Sequence, residues 1–187
     1  MNIDLSVSFD KFGFKQHTHA PKRRDDAHLS FLPQVHLPEQ VLYDTTVYID
    51  ALQGKLSEQL KQIIATNNPW HSTVAESELI YLCGRLDPTH PKTSLVMTEI
   101  MGHIDRWHTE RVLNPDREVW REAAILTDIV SRLHALKTED RGRMMNDALI
   151  FLTALKHGCT VLTRNVKDFD LLLQLVPAGR VVFYRQG

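Results

Sequence analysis

The chain has 187 residues, of which 43% are hydrophobic and 24% are charged, and its 22 Lys and Arg residues nearly balance 23 Asp and Glu residues. This composition is typical of one globular domain and excludes collagen-like, coiled-coil and wholly disordered chains. The formal net charge of -1 excludes a protein that coats nucleic acid through a strongly basic surface, so any contact with nucleic acid must be local.

The chain has no predicted signal peptide or membrane helix. Residues 1–20 lack an apolar core, and no apolar run approaches the roughly 20 residues that a bilayer requires. Cys83 and Cys159 lie in apolar stretches without the spacing of zinc ligands, which predicts buried, reduced thiols. These features predict a soluble protein of the cytoplasm.

The first 38 residues differ from the rest of the chain. They contain four His and three Pro residues and show no sustained helical or strand period. Their charged cluster, residues 22–26, is predicted to be a solvated loop. We therefore predict an N-terminal extension of unknown role at residues 1–38 and a folded domain at residues 39–187.

Beyond the extension, short apolar runs alternate with helical patterns. In chain order we predict a strand at 41–43, helices at 46–52 and 57–65, a strand at 70–72, helices at 73–83 and 93–108, a strand at 111–113, a helix at 117–136, a loop at 138–143, a helix at 146–156, a strand at 159–162, a helix at 168–175 and a strand at 181–184. Trp120 lies on the apolar stripe of the long helix and is predicted to be in the core. This alternation predicts an α/β fold whose parallel sheet is covered on both faces.

Four acidic residues lie at strand ends or on apolar helix faces, and parallel sheets form their sites beyond the strand ends. Asp44 and Asp168 follow predicted strands, Glu78 shares a face with apolar residues, and Asp147 opens an apolar helix. Each position also has a structural interpretation, as a helix cap, a half-exposed boundary residue or a carboxylate near a helix N-terminus. Asp170 is a competing acid, for which a solvated first-turn carboxylate is the favoured interpretation.

Three or four carboxylates at one sheet edge would repel one another unless a cation neutralised them. Oxygen ligands select Mg²⁺ or Mn²⁺ over zinc. Such a metal lowers the pKa of a bound water and polarises a phosphoryl oxygen. The pattern therefore favours a metal-dependent nuclease, provided that the fold brings the acids together.

These segments resemble the PIN domain family, and within it the VapC-like toxins of type II toxin–antitoxin systems. The matching stretches are Leu42–Asp50, Ser72–Gly84, Asn146–Gly158 and Leu162–Phe169, and the resemblance spans residues 41–184. It implies a three-layer α/β/α fold with a five-stranded parallel sheet and Mg²⁺- or Mn²⁺-dependent cleavage of RNA. It also implies a small antitoxin protein as partner and a homodimer.

The resemblance assigns roles to the acids. Asp44, Glu78 and Asp147 match the acidic positions of the family, whereas Asn165 stands where the family often has a further acid. Asp168 is therefore the predicted fourth acid, with Asn165 as a helper. All four acids are predicted to be catalytic, with Asp44, Asp147 and Asp168 as metal ligands. Of these, Asp44 and Asp147 would bind the metal directly, while Glu78 and Asp168 would complete its shell through water or orient the nucleophile.

Residues close in sequence to the acids are predicted to bind the substrate. They are Thr45, Arg143, Arg164 and Asn165, and Arg141 and Lys167 are further candidates for phosphate contacts. Each of the four cations has an equally ordinary interpretation as a solvated loop charge.

Two other functions stay open at this point. Asn165 and the extension suggest a PIN-like binding module that no longer cleaves its ligand. A nuclease acting on structured DNA is a third hypothesis, but the modest net charge and the lack of a long basic helical clamp argue against it.

Overall fold

The computed structural model describes residues 9–187. Its strands are β1 (Val41–Tyr43), β2 (His71–Ser72), β3 (Val112–Leu113), β4 (Thr160–Thr163) and β5 (Val181–Phe183). Its helices of eight or more residues are α1 (Thr45–Leu52), α2 (Glu58–Thr66), α3 (Thr73–Gly84), α4 (Thr93–Ile104), α5 (Arg117–His134), α6 (Thr138–Lys156) and α7 (Val166–Leu175). Short 3-10 turns lie at Asp26–His28 and Thr109–Arg111.

The main sheet has the strand order β1-β4-β5, with all neighbours parallel. Leu42 lies opposite Val161, and Val161 lies opposite Val181. Every residue of these three strands is buried. Because successive side chains point to opposite faces of a strand, both faces of the main sheet are covered. The predicted α/β class with a covered parallel sheet is confirmed.

The prediction of a single five-stranded sheet is wrong, because β2 and β3 form a separate parallel pair within residues 9–187. One isolated bridge links this pair to the main sheet, where Trp70 N donates to Val41 O at 2.7 Å and Tyr43 N donates to Trp70 O at 3.2 Å. Regular pairing does not extend beyond this bridge, so β1 and β2 are not neighbours in one continuous sheet.

The order of the predicted helices and strands is confirmed, but some bounds are not. The predicted loop at 138–143 is the start of α6, and α4 ends at Ile104. Gly142 and the charged residues around it gave no apolar period in the first turns of α6. Trp120 is 49% exposed, which contradicts its predicted place in the core. Its neighbour Val119 is buried instead, so Trp120 lies at the edge of the apolar stripe.

The described part of the extension, residues 9–38, packs against the domain. Phe12 is fully buried. Leu32 N donates to Phe183 O and Phe183 N donates to Ser30 O, both at 2.8 Å, so the extension also covers the free edge of β5. Such pairing protects a strand edge from other chains. Residues 1–8 of the predicted extension lie outside the described residues.

One contact of the extension contradicts two predictions. Asp170 of α7 is 0% exposed and accepts hydrogen bonds from Arg24 N at 2.8 Å and from Arg24 Nε at 2.6 Å. The predicted solvated acid is therefore a buried ion-pair partner, and Arg24 is not a solvated loop residue. The partners are 146 residues apart in the chain, so no local pattern indicated them.

Two further predictions can be compared with the described residues. Cys83 and Cys159 are free and buried, as predicted. Within residues 9–187, no helix combines the length and the apolar character needed to cross a membrane.

Candidate functional site

A cleft of about 920 Å³ contains all four predicted acids. Asp44 follows β1, Asp168 lies in α7 just after β4, and Glu78 and Asp147 come from α3 and α6. The parallel pairing of β1 with β4 brings their carboxyl ends to one edge of the sheet. The structure therefore brings the acids into one cleft, as the sequence predicted, whereas their catalytic roles stay predictions.

Asp44 is held by threonine side chains at the bottom of the cleft. Its side chain is 2% exposed, and Oδ2 accepts hydrogen bonds from Thr46 Oγ1 at 2.6 Å and Thr163 Oγ1 at 2.7 Å. Asp44 is also the N-cap of α1, because Oδ2 accepts from Thr46 N. Asp44 is thus both a helix cap and a residue of the cleft. Thr163, at the end of β4, was not predicted to support the site.

Glu78 is oriented by two neighbours. One carboxylate oxygen, Oε2, accepts a hydrogen bond from Thr45 Oγ1, and Oε1 accepts from Asn146 Nδ2 at 2.9 Å. Thr45 is buried and lines the cleft, so its hydroxyl positions an acid rather than pointing freely at a ligand. Asn146 was missed by the sequence analysis, although its place directly before Asp147 was a signal.

Asn165 joins the remaining two acids. Its Nδ2 donates to Asp147 Oδ2 at 3.0 Å and to Asp168 Oδ2 at 2.9 Å. Its Oδ1 accepts from Asp168 N at 3.3 Å and so caps α7. The N-cap of this helix is therefore Asn165 rather than Asp168. A single amide therefore fixes the start of α7 and two of the predicted acids.

The environment of the cleft disfavours ionised carboxylates. Burial raises the pKa of Asp44, and hydrogen bonds from Thr46 and Thr163 partly offset it. Burial also raises the pKa of Glu78, and the hydrogen bonds from Thr45 and Asn146 partly offset this rise. The pKa of Asp147, which is 9% exposed, is raised well above its usual value by burial and then by the charges of other acids, Asp44 foremost. A cation in the cleft would relieve this cost.

The donors fit a hard divalent cation by their chemistry, because the acids supply oxygen ligands only. Among residues 9–187, however, no three His, Cys, Asp or Glu side chains form a group that could hold a metal ion. Mg²⁺ commonly binds through one or two carboxylates and keeps several water ligands. The buried pair Asp44 and Asp147 fits this sparser kind of site.

The predicted phosphate-binding cations lie in different places. Arg143 lines the cleft, and its side chain is 3.5 Å from Asp140. Arg164 instead points at buried Asp50, to which its Nε donates at 2.7 Å, and it does not line the cleft. Asp50 also accepts from Tyr184 OH at 2.8 Å. We therefore leave Arg164 out of the proposed substrate-binding set.

Arg141 and Lys167 do not line the cleft either. Tyr81 and Arg85, at the C-terminal end of α3, do line it. The sequence analysis missed this pair. The spacing of Glu78, Tyr81 and Arg85 along one helix was the signal that could have found it.

The PIN domain family matches residues 41–171 of the sequence, from β1 into α7. This stretch is well over half of the chain and includes the four acids. The chain belongs to the PIN domain family. No curated protein was found to match its sequence significantly.

Several solved structures share the fold of this PIN domain at low sequence identity. VapBC2 from Rickettsia felis, bound to a DNA fragment from its promoter, has a TM-score of 0.54 and 15% identity, covering 78% of this chain and 98% of that one. FitAcB from Neisseria gonorrhoeae has a TM-score of 0.56 and 20% identity, covering 77% and 96%. DNA-bound VapBC from Salmonella typhimurium has a TM-score of 0.55 and 19% identity, covering 78% and 98%.

Proposed function

We propose that this PIN-domain protein is an endoribonuclease that depends on Mg²⁺ or Mn²⁺ and acts as the toxin of a toxin–antitoxin pair. The observation that supports it most is the convergence of Asp44, Glu78, Asp147 and Asp168 on one cleft at the carboxyl end of the sheet. Burial and mutual charge make ionised acids costly there, and acids perturbed in this way within one cleft are typical of functional sites.

In this proposal Asp44 and Asp147 hold the metal, with Asp168 completing its shell. When bound there, a divalent metal would supply an activated water and would polarise the phosphoryl oxygen. Asn165 keeps Asp147 and Asp168 oriented through its two amide hydrogen bonds. Residues that orient ligands in this way commonly contribute about 10–100-fold to metal affinity or activity.

Glu78 orients the attacking water in the proposed site. Its two hydrogen bonds, from Thr45 and Asn146, fix the direction of its carboxylate. Arg143 lines the same cleft with a largely exposed side chain and is the proposed contact to a substrate phosphate. Of the four residues predicted to bind the substrate, the proposal keeps Thr45, Arg143 and Asn165. Thr45 acts indirectly, by orienting Glu78.

The toxin role rests on the resemblance to VapC-like proteins and on the similar folds in the VapBC, VapBC2 and FitAcB structures. A small antitoxin protein and a second copy of the chain are the partners that this role implies. The proposed place of action is the cytoplasm, where RNA is available. Residues 1–38 are proposed to be an addition to the PIN domain, because the family match begins at Val41.

The test compares RNA and DNA of matched sequence as substrates in Mg²⁺. The parent protein should cut RNA, and Asp44→Asn should not. Asp128→Asn is the matched control, because Asp128 is an exposed aspartate on α5 outside the cleft. Cleavage of DNA alone would contradict the RNA assignment, and equal RNA cleavage by Asp44→Asn would contradict the site.

A second candidate function is a PIN-fold binding module without cleavage. Asn165, in place of an acid, favours it. So does the finding that, among residues 9–187, no three His, Cys, Asp or Glu side chains form a group that could hold a metal ion. Calorimetric titration with Mg²⁺ or Mn²⁺ separates the two candidates. Binding that is lost in Asp147→Asn supports the nuclease, and failure to bind either metal at millimolar concentration supports the binding module.

A further inference from the structure

Tyr81 is an exposed aromatic residue in a cleft of acids. Its side chain lies on α3 and is 66% exposed, more than any other exposed large hydrophobic residue among residues 9–187. It lines the same cleft as the four acids and lies three residues after Glu78, on the same side of the helix. An exposed tyrosine contributes nothing to the core, so the packing of the domain does not explain it.

Arg85 stands next to the ring. Its guanidinium carbon is 5.7 Å from the centroid of the Tyr81 ring, within the range of a cation–π contact. Arg85 also lines the cleft, as does Arg143 on α6. The wall of the cleft therefore combines a flat aromatic surface with two positive charges, beside acids suited to phosphoryl chemistry.

We propose that Tyr81 and Arg85 form a stacking subsite for an unpaired nucleobase next to the phosphate that is cut. Aromatic rings bind single-stranded nucleic acid by stacking on the flat face of a base. A paired base is covered by its neighbours in the duplex and cannot reach such a ring. Arg85 supports the ring and contacts the backbone phosphate of that nucleotide. This inference rests on the proposed function and assigns it a single-stranded or locally unpaired substrate.

A nucleic acid fits this surface better than a protein partner does. Acids and arginines line the cleft around the ring, together with the apolar residues Ile49 and Leu82. Its position three residues from Glu78 places it beside the proposed reaction rather than on a remote face. A protein partner at Tyr81 is the alternative that the experiment separates.

The test is steady-state cleavage of a short single-stranded RNA in Mg²⁺ by the parent, Tyr81→Ala, Tyr81→Phe and Trp120→Ala. Tyr81→Ala should raise KM by about tenfold or more with kcat nearly unchanged, because stacking contributes equally to substrate and transition-state binding. Tyr81→Phe keeps the ring and should behave like the parent. Trp120→Ala removes an exposed aromatic outside the cleft and should also leave KM unchanged.

A binding measurement gives a readout that does not depend on turnover. Fluorescence anisotropy of the labelled RNA is measured with Asp147→Asn and with the double variant Asp147→Asn/Tyr81→Ala. The double variant should bind about tenfold more weakly, and the same RNA annealed to its complement should show no such difference. Circular dichroism verifies that each variant is folded.

The outcomes distinguish this inference from the proposed function. Cleavage by the parent together with an unchanged KM for Tyr81→Ala overturns the stacking subsite, leaves the nuclease intact and favours a protein partner at Tyr81. An equal loss in Tyr81→Phe and Tyr81→Ala also overturns it, because the hydroxyl rather than the ring would then make the contact. A parent that neither cuts nor binds RNA overturns both.

Discussion

Asn165 links helix capping to the geometry of the acids. Its side-chain oxygen caps α7, while its amide donates to Asp147 and Asp168. A carboxylate at this position would lose both donated bonds and add a further negative charge to acids that already repel one another. The asparagine therefore suits the proposed site, in which Asp44 and Asp147 would hold the metal and Asp168 would complete its shell.

Asn165→Ser separates these two roles. Serine also caps helices, so stability should change little, whereas the two amide hydrogen bonds are lost. We expect RNA cleavage to fall by about 10–100-fold. Asn165→Ala is the comparison, since it should also reduce the free energy of unfolding by about 0.5–2 kcal/mol. Full activity of both variants in the cleavage assay would contradict the orienting role.

His71 makes the stability of the fold depend on pH. Its Nδ1 is 2.7 Å from Tyr48 OH, and its ring stacks on Trp107 at 4.3 Å between centroids. The pKa of His71 is lowered from 6.5 to about 4, first by burial and then by the nearby charges of His103, Arg111 and His108. Below pH 6.5 the unfolded chain therefore takes up a proton that the folded chain does not.

We expect the free energy of unfolding to decrease as the pH falls from 6.5 to about 4, and to be insensitive to His71 at higher pH. His71→Gln should flatten this part of the curve, measured by urea denaturation at several pH values. His36→Gln is the control, because His36 is exposed. A pH dependence that is identical in parent and His71→Gln would show that other groups cause it.

At the level of elements, the N-terminal extension packs against α7, the helix whose first turn lies at the cleft. Arg24 binds buried Asp170, and Lys22 O accepts a hydrogen bond from Gln174 Nε2 at 2.9 Å. Both partners lie on α7, whose first turn contains Asp168. The extension is thus continuous with the packing of the domain, although the family match begins only at Val41.

Arg24→Ala should destabilise the fold by about 1–3 kcal/mol, because it leaves a buried carboxylate without its charged partner. The double variant Arg24→Ala/Asp170→Asn should recover part of this loss. The control is Arg23→Ala, whose arginine pairs with the half-exposed Asp26 and whose loss should change stability much less, because solvent screens this pair. Equal denaturation midpoints for Arg24→Ala and Arg23→Ala would contradict this account of Asp170.

For the whole molecule, local patterns predicted the order of the elements and the acids at their ends. They did so because apolar periodicity and strand-end carboxylates are local features of the chain. The division of the strands into a sheet of three and a pair, joined by a bridge at Trp70, is not indicated by any apolar period. The place of Asp170 depends on a partner at the other end of the chain. The division of the chain at residue 38 stays a prediction.

The central claim is that the acids of this cleft cleave RNA with a divalent cation. The most direct measurement follows total RNA with the purified parent and with Asp147→Asn, in Mg²⁺ and again after EDTA is added. Our account predicts cutting by the parent in Mg²⁺ alone, its loss with EDTA, and none by a folded Asp147→Asn. Cutting by Asp147→Asn at the parent's rate, or cutting that persists in EDTA, would contradict it.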